Sequence, residues 1–166
     1  MTTTKNKLGV RILIPIEQFH PIVVHFPIVF FLSLAALDTA ALFANLSLAG
    51  RGGVANLSAG LAVLAGLAAV TAYAFGDAAL DVALAGGVAE ARLETHETLG
   101  TVTAIALALW GLVRAFVWWR RLPVGKGRAR GMVLVELAFA ILIIATAFFG
   151  GQLVYEFGVN VVALAR

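Results

Sequence analysis

The chain contains no cysteine, and its 166 residues include only three histidines and four prolines. Without cysteine there is no disulfide, no thiolate metal site and no covalent attachment of a c-type haem. A bound metal or cofactor therefore needs ligands from histidine, carboxylate, tyrosine, methionine or the backbone.

Charged residues are also scarce, at 13% of the chain, whereas hydrophobic residues make up 61% and the mean hydropathy is +0.98. A soluble globular domain has about 25% charged residues, so this composition indicates a protein embedded in lipid. A membrane-spanning helix needs about 20 apolar residues. Four segments qualify: 21–46, 54–75, 100–119 and 132–154, and the third helix (88–119) is expected to begin near residue 88, outside the hydrocarbon. The sequence predicts an all-α bundle of four transmembrane helices, one domain over residues 1–166 after a tail of residues 1–20.

The distribution of basic residues predicts the orientation. Five of the twelve lie in the loop between Arg120 and Arg130, and short basic loops are usually cytoplasmic. Both termini and the acidic loop 76–98 are then periplasmic, in a bacterial inner membrane. The net charge of +3 thus reflects membrane orientation and not binding to nucleic acid. Residues 1–19 are predicted to be a retained tail at the interface, because Arg11 and Pro15 interrupt any signal-peptide core.

All three histidines are predicted to share the periplasmic side. His20 and His25 begin the first span, and His96 lies about one turn above the start of the third span. The segment 71–81 also aligns with 146–156 at an offset of 75, while His20 and His96 differ by 76. We expect two similar helical hairpins related by a pseudo-two-fold axis along the membrane normal.

These histidines form a candidate cofactor site. Cofactor sites in helix bundles use inward side chains of facing helices, so His25 and His96 could be axial ligands of a b-type haem. Gly100 would leave space for the porphyrin, Arg92 could pair with a propionate, and Tyr155 could orient an imidazole.

Two alternatives remain open for the same residues. Copper or zinc could be held by His20, His25 and His96 with a loop carboxylate. Alternatively no cofactor binds, and the histidines only hydrogen-bond at the interface.

Asp38 is the acid deepest in a predicted span, so it must be neutral, paired or turned towards the bundle interior. Arg114 in the third span could reach it as a structural ion pair, and a proton relay is the second interpretation. Glu136 is interpreted as an acid near the interface and the basic loop. Three tryptophans are interpreted as an aromatic belt: Trp110, Trp118 and Trp119.

The opening His20-Pro-x-x-x-His25-Phe-Pro27, His96 before the third span and the closing segment 150–159 resemble the bacterial domain-of-unknown-function family 2231 of predicted membrane proteins. The resemblance implies a four-helix inner-membrane protein and no settled activity. No nucleophile–base pair or phosphate loop is visible, so we do not expect an independent enzyme. We expect a His-centred periplasmic site for haem or metal in electron transfer, with other membrane or redox proteins as partners besides the lipid bilayer. The competing expectation is a non-catalytic membrane subunit or scaffold.

Overall fold

The computed structural model describes residues 18–159, and within them it contains helices and no strand. The helices are α1 (Phe19–Val23), α2 (His25–Phe43), α3 (Gly53–Ala85), α4 (Glu90–Trp119) and α5 (Lys126–Tyr155). Since α1 and α2 together make one span, four spans are long and apolar enough to cross a membrane. The predicted four-helix membrane bundle is confirmed, while the prediction for the tail concerns residues that lie almost wholly outside the described range.

The first span is interrupted at Val24, between α1 and α2. Pro27 has no N–H to donate to the carbonyl of Val23, so the regular helical ladder has a gap at this point. The Val24 N–H still bonds the His20 carbonyl at 3.0 Å. Val24 keeps helical dihedral angles, φ −59° and ψ −24°, so the span continues along one helical path, and α1 with His20 packs against α3.

Two helices are longer than the hydrophobic segments that predicted them. α3 continues ten residues past Phe75 to Ala85, and α5 begins at Lys126, six residues before Met132. The extension of α3 is rich in alanine, a strong helix former. The helix stops after Ala85, where Gly87 takes the left-handed conformation, with φ of +87°. Hydropathy marks the part of a helix that lies in lipid, whereas the helix itself continues until a residue stops it.

The spans are arranged in the order α2, α3, α4, α5 around the bundle. Each of these helices contacts its two neighbours in that circuit, and α1 contacts α2 and α3. α2 therefore lies diagonally opposite α4, and α3 lies diagonally opposite α5. The core between them is formed by one cluster of buried side chains: Phe31, Leu34, Ala62, Ala65, Ala69, Leu107 and Ile143.

α3 and α4 approach most closely, through small residues. A Cβ on Gly66 would lie 3.0 Å from the Leu107 carbonyl oxygen, and one on Gly111 would lie 2.9 Å from that of Ala62. Only glycine fits this spacing between backbones, which is the usual basis of tight helix packing in lipid. The close contact fixes the register between the two hairpins.

The two hairpins repeat each other in backbone detail. Among the described residues only Asn45 and Arg121 are non-glycine residues with positive φ, at 55° and 52°, and they are 76 positions apart. Each follows its helix in the same Schellman arrangement, since Leu46 N–H bonds Ala41 and Leu122 N–H bonds Val117. The first helices of the two hairpins therefore correspond at an offset of 76.

Candidate functional site

The first polar layer of the bundle is built around two histidines, and we call it the His layer. Its members are His20 on α1, His96 on α4 and the backbone carbonyls of Ala72 on α3 and Thr146 on α5. The imidazole rings lie across the bundle diagonal, with centroids 6.2 Å apart and planes at 75°. All four spans thus contribute to one site at the end of the bundle that carries the acidic loop, which we call the His end.

Each imidazole is held by a carbonyl of the neighbouring helix. His20 Nδ1 lies 2.9 Å from the Ala72 oxygen, and His96 Nδ1 lies 3.1 Å from the Thr146 oxygen. A carbonyl only accepts hydrogen bonds, so Nδ1 is the donor in both rings. In a neutral imidazole Nε2 then carries the free lone pair, and neither Nε2 has a hydrogen-bonding partner among the described residues.

A glycine lies against each ring. A Cβ on Gly76 would be 2.9 Å from His20 Cε1, and a Cβ on Gly150 would be 2.8 Å from His96 Cε1. Both glycines follow the accepting carbonyl by four residues. The second helices therefore correspond at an offset of 74, which pairs Gly76 with Gly150 and differs by one from the alignment at 75.

His25 does not join this layer. Its side chain is exposed, whereas His20 and His96 are half-buried. The five-residue spacing puts the two neighbouring histidines on different faces of the span, and the inward position belongs to His20. The structure thus pairs His96 with His20, and not with His25 as the sequence led us to expect.

The other predicted site residues lie at the margin of the His layer. Arg92 is exposed and stacks on the ring of Phe157, with 4.8 Å between its Cζ and the ring centroid. Tyr155 is 90% exposed, so the carbonyl of Thr146, and not the phenol, orients the imidazole. Gly100 lies one turn below His96, and a Cβ there would meet nothing within 4 Å.

A metal site with three or more protein ligands is not assembled in residues 18–159. No group of three His, Asp or Glu side chains in this range has a geometry that could hold an ion. The set of His20, His25, His96 and a loop carboxylate expected for copper or zinc is therefore absent there, because His25 faces outward.

The second polar layer is a buried cluster of charges near the opposite end, and we call it the charged layer. Arg114 Nη1 on α4 lies 2.5 Å from Asp38 Oδ2 on α2 and 2.5 Å from Glu136 Oε1 on α5. Arg114 Nη2 donates to the hydroxyl of Ser58 on α3. Asp38, Ser58 and Glu136 have no exposed surface, and Arg114 is 2% exposed. One side chain from each span thus meets in the bundle interior.

The sequence identified the contact between Asp38 and Arg114 but missed Glu136 as the third member. α5 starts six residues earlier than predicted, which puts Glu136 ten residues into the helix, and the packing of α5 turns its side chain to the interior. Trp110 also belongs here and not to an aromatic belt, since its indole N–H donates to Glu136 Oε1 at 3.1 Å. The packing of α5 was the missing information.

The two layers occupy corresponding positions in the repeat. Asp38 lies 18 residues after His20, and Arg114 lies 18 residues after His96, so both pairs have the offset of 76. Eighteen residues of helix separate the layers by about 27 Å. The diagonal of the bundle thus carries two histidines at one end and a pair of opposite charges at the other.

Comparison with known proteins places the chain in a family without giving it an activity. Residues 16–163 match the family model described as "Predicted membrane protein (DUF2231)". No curated protein and no solved structure matches the chain. The match covers nearly the whole sequence, and the chain belongs to this family.

Proposed function

We propose that this family member is a multi-pass electron-transfer protein of the bacterial inner membrane that binds one b-type haem between His20 and His96. The observation that carries the proposal is the diagonal pair of imidazoles at the His end. Both rings use Nδ1 on a backbone carbonyl, which is the usual way in which a protein orients a metal-ligating histidine. Both Nε2 lone pairs are left for one electrophilic centre.

The spacing of the rings supports a shared metal centre. With metal–nitrogen bonds of about 2 Å and ring centres about 1 Å behind the nitrogen, two imidazoles on opposite sides of one ion have centroids about 6 Å apart. The observed distance is 6.2 Å. Helices on a diagonal approach from opposite sides, as two axial ligands must.

The number of ligands favours haem over a free ion. Zinc and copper(II) sites need three or four ligands from the protein, and residues 18–159 contain no group of three suitable acids or histidines. A porphyrin supplies four nitrogens, so two histidines complete the coordination. An added Cβ on Gly100, one turn below His96, would meet nothing within 4 Å, and Arg92, exposed one turn above His96, would have to leave the Phe157 ring to pair with a propionate.

His20 and His96 would hold the haem, and with both imidazoles bound it would supply one-electron transfer. The protein holds the rings, and Gly76 and Gly150 let α3 and α5 lie against them without side chains between. Redox proteins that meet the His end are the corresponding partners.

The absorption spectrum of protein purified from haem-replete cells tests the proposal. We expect a Soret band and sharp bands in the reduced state, and we expect His20→Ala and His96→Ala each to abolish or convert them. His25→Ala is the matched control, because the third histidine is exposed, and it should leave the spectrum unchanged. A colourless protein that hemin does not reconstitute would contradict the proposal, as would a spectrum that needs His25 and not His20.

A second candidate function rests on the same hydrogen bonds. His20 links α1 to α3, and His96 links α4 to α5, so the imidazoles could act only as ties between helices in a non-catalytic membrane subunit or scaffold. That reading predicts colourless protein that binds neither hemin nor copper or zinc. The spectrum and metal titration therefore separate the two functions.

The proposed orientation places the His layer on the periplasmic side. The loop at residues 120–125 and the first turns of α5 carry the basic residues, while α3 and α4 carry acids at the His end. The natural chain has no cysteine, so single cysteines at Gly87 and Gly127 report their own positions. We expect an impermeant thiol reagent to label Gly87→Cys alone in cells whose outer membrane is permeabilised. Labelling of Gly127→Cys alone would reverse the orientation.

A further inference from the structure

The charged layer contains one more acid than it has bases. Asp38 and Glu136 both contact the single guanidinium of Arg114, and if all three groups are ionised the layer has a formal charge of −1. An uncompensated charge in a dry, buried site costs several kcal/mol or more, so such sites are neutralised by a partner or a proton.

No other base in the described residues supplies the missing charge. Among the ionisable side chains of α2 to α5, only Asp38, Arg114 and Glu136 lie in this layer, and α3 contributes the hydroxyl of Ser58. The acids of α3 and the N-terminal half of α4 lie at the His end: Asp77, Asp81, Glu90, Glu94 and Glu97. Arg92 is at that end too, and the remaining bases of the described residues are exposed: Arg51, Arg120, Arg121, Lys126, Arg128 and Arg130.

Each carboxyl group also has an oxygen without a donor. Asp38 Oδ1 and Glu136 Oε2 are fully buried and have no hydrogen-bonding partner in residues 18–159. Their other oxygens, Oδ2 and Oε1, share Arg114 Nη1 and so lie no more than 5.0 Å apart, the sum of two bonds of 2.5 Å. The two carboxyl groups are thus close neighbours, and each keeps one buried acceptor oxygen without a donor in a layer that is one positive charge short.

We propose that Asp38 and Glu136 together hold one exchangeable proton, which makes the charged layer a proton-binding site inside the membrane. With the proton bound, one carboxylate balances Arg114 and the layer is neutral. Because the two acids share one guanidinium, the proton belongs to the pair and not to either residue alone. The inference does not depend on haem, since it uses no residue of the His layer.

The charged layer lies near one end of the bundle, so a proton reaches it over a short distance from that side of the membrane. Asp38 is five residues before the end of α2, and Arg114 is five residues before the end of α4, about 8 Å inside the bundle. That end carries the basic loop, so the pair exchanges protons with the compartment on the side opposite the His layer. Intramembrane acids that are paired in this way are typical of proton pathways.

Infrared spectroscopy of the protein in lipid vesicles at neutral pH tests the proposal. We expect a carbonyl band of a protonated carboxylic acid that moves to lower frequency in deuterium oxide. Asp38→Asn and Glu136→Gln should each remove the band, because each leaves a single carboxylate balanced by Arg114. Glu90→Gln, which changes an exposed acid, is the matched control and should keep it.

Isotope labelling keeps the test independent of how the variants fold. In the natural sequence, carboxyl-¹³C aspartate or carboxyl-¹³C glutamate should shift part or all of the band. Absence of the band in folded protein, or its persistence in both Asp38→Asn and Glu136→Gln, would overturn the proposal. Loss of the band when sodium replaces choline in the buffer would also overturn it, since the pair would then bind a metal cation.

Discussion

The His layer and the charged layer each join one residue of the first hairpin to the equivalent residue of the second, yet the two layers pair these residues in opposite ways. At the charged layer the repeat has diverged to Asp38 and Arg114, which are complementary and bond each other directly. At the His layer the repeat has kept two identical residues, His20 and His96. Two neutral imidazoles that both donate through Nδ1 keep only acceptors at Nε2, so they cannot hydrogen-bond each other. Complementary residues complete a pair internally, whereas the two identical imidazoles do not hydrogen-bond each other and are held by carbonyls of other helices.

The two layers also differ in how deeply their side chains are buried. Asp38 and Glu136 have no exposed surface, whereas both histidines of the His layer are half-buried. A closed cluster is suited to holding the bundle together and retaining a proton. A partly open pair at the surface of the membrane is suited to a cofactor that exchanges electrons with another protein.

The largest expected effect is at the charged layer. Arg114→Gln leaves two buried carboxyl groups without their cation, and breaking a buried pair in this way costs about 3–5 kcal/mol of unfolding free energy. The measurement is thermal or denaturant unfolding in detergent. Arg128→Gln, at an exposed position of α5, is the control and should change stability little. If Arg114→Gln and Arg128→Gln had equal unfolding free energies, the charged layer would not contribute more to stability than the His layer.

The double variant Asp38→Asn with Glu136→Gln sharpens this result. It leaves Arg114 charged and buried with no carboxylate, so we expect a loss of about 3–5 kcal/mol again. Each single variant retains one carboxylate for Arg114 and should cost much less. If the losses of unfolding free energy in the two single variants added up to the loss in the double variant, the two acids would not share the guanidinium.

An intermediate effect is expected where glycine meets an imidazole. Gly150→Ala puts a Cβ 2.8 Å from His96 Cε1, so the ring must move from the Thr146 carbonyl. Such overpacking costs about 1–3 kcal/mol. Gly100→Ala, with nothing within 4 Å of its Cβ, is the control and should keep or raise stability. If both alanine variants were equally stable, the His layer would not require glycine.

The smallest effect is expected from the histidines in haem-free protein. His20→Phe and His96→Phe keep a ring but each lose one hydrogen bond between helices, which is worth about 0.6 kcal/mol in a membrane protein. The pseudo-two-fold relation predicts similar losses for both. His25→Phe should cost less, because that side chain is exposed. A large loss for only one of the pair would show that the two halves of the layer are not equivalent.

Particular residues show how much of the bundle and of its polar layers could be predicted from the sequence. It predicted four spans, one side for all three histidines, and Arg114 as the partner of Asp38. It chose His25 over His20, and it placed Glu136 and Trp110 near the surface. The offset of 76 that relates His20 to His96 also relates Asp38 to Arg114, so extending the repeat could have found the diagonal from sequence alone.

Hydropathy, loop charge and span length by themselves determined the membrane class and the number of spans, because transfer into lipid depends on composition summed over a segment. The tertiary structure decided which polar side chains meet. The packing of α1 against α3 turns His20 inward, and the packing of α5 against α4 brings Glu136 to Arg114. These contacts depend on the rotation of each helix about its axis, which is set by packing against neighbouring helices, as where Gly66 and Gly111 let α3 and α4 approach, and is not encoded in any one segment.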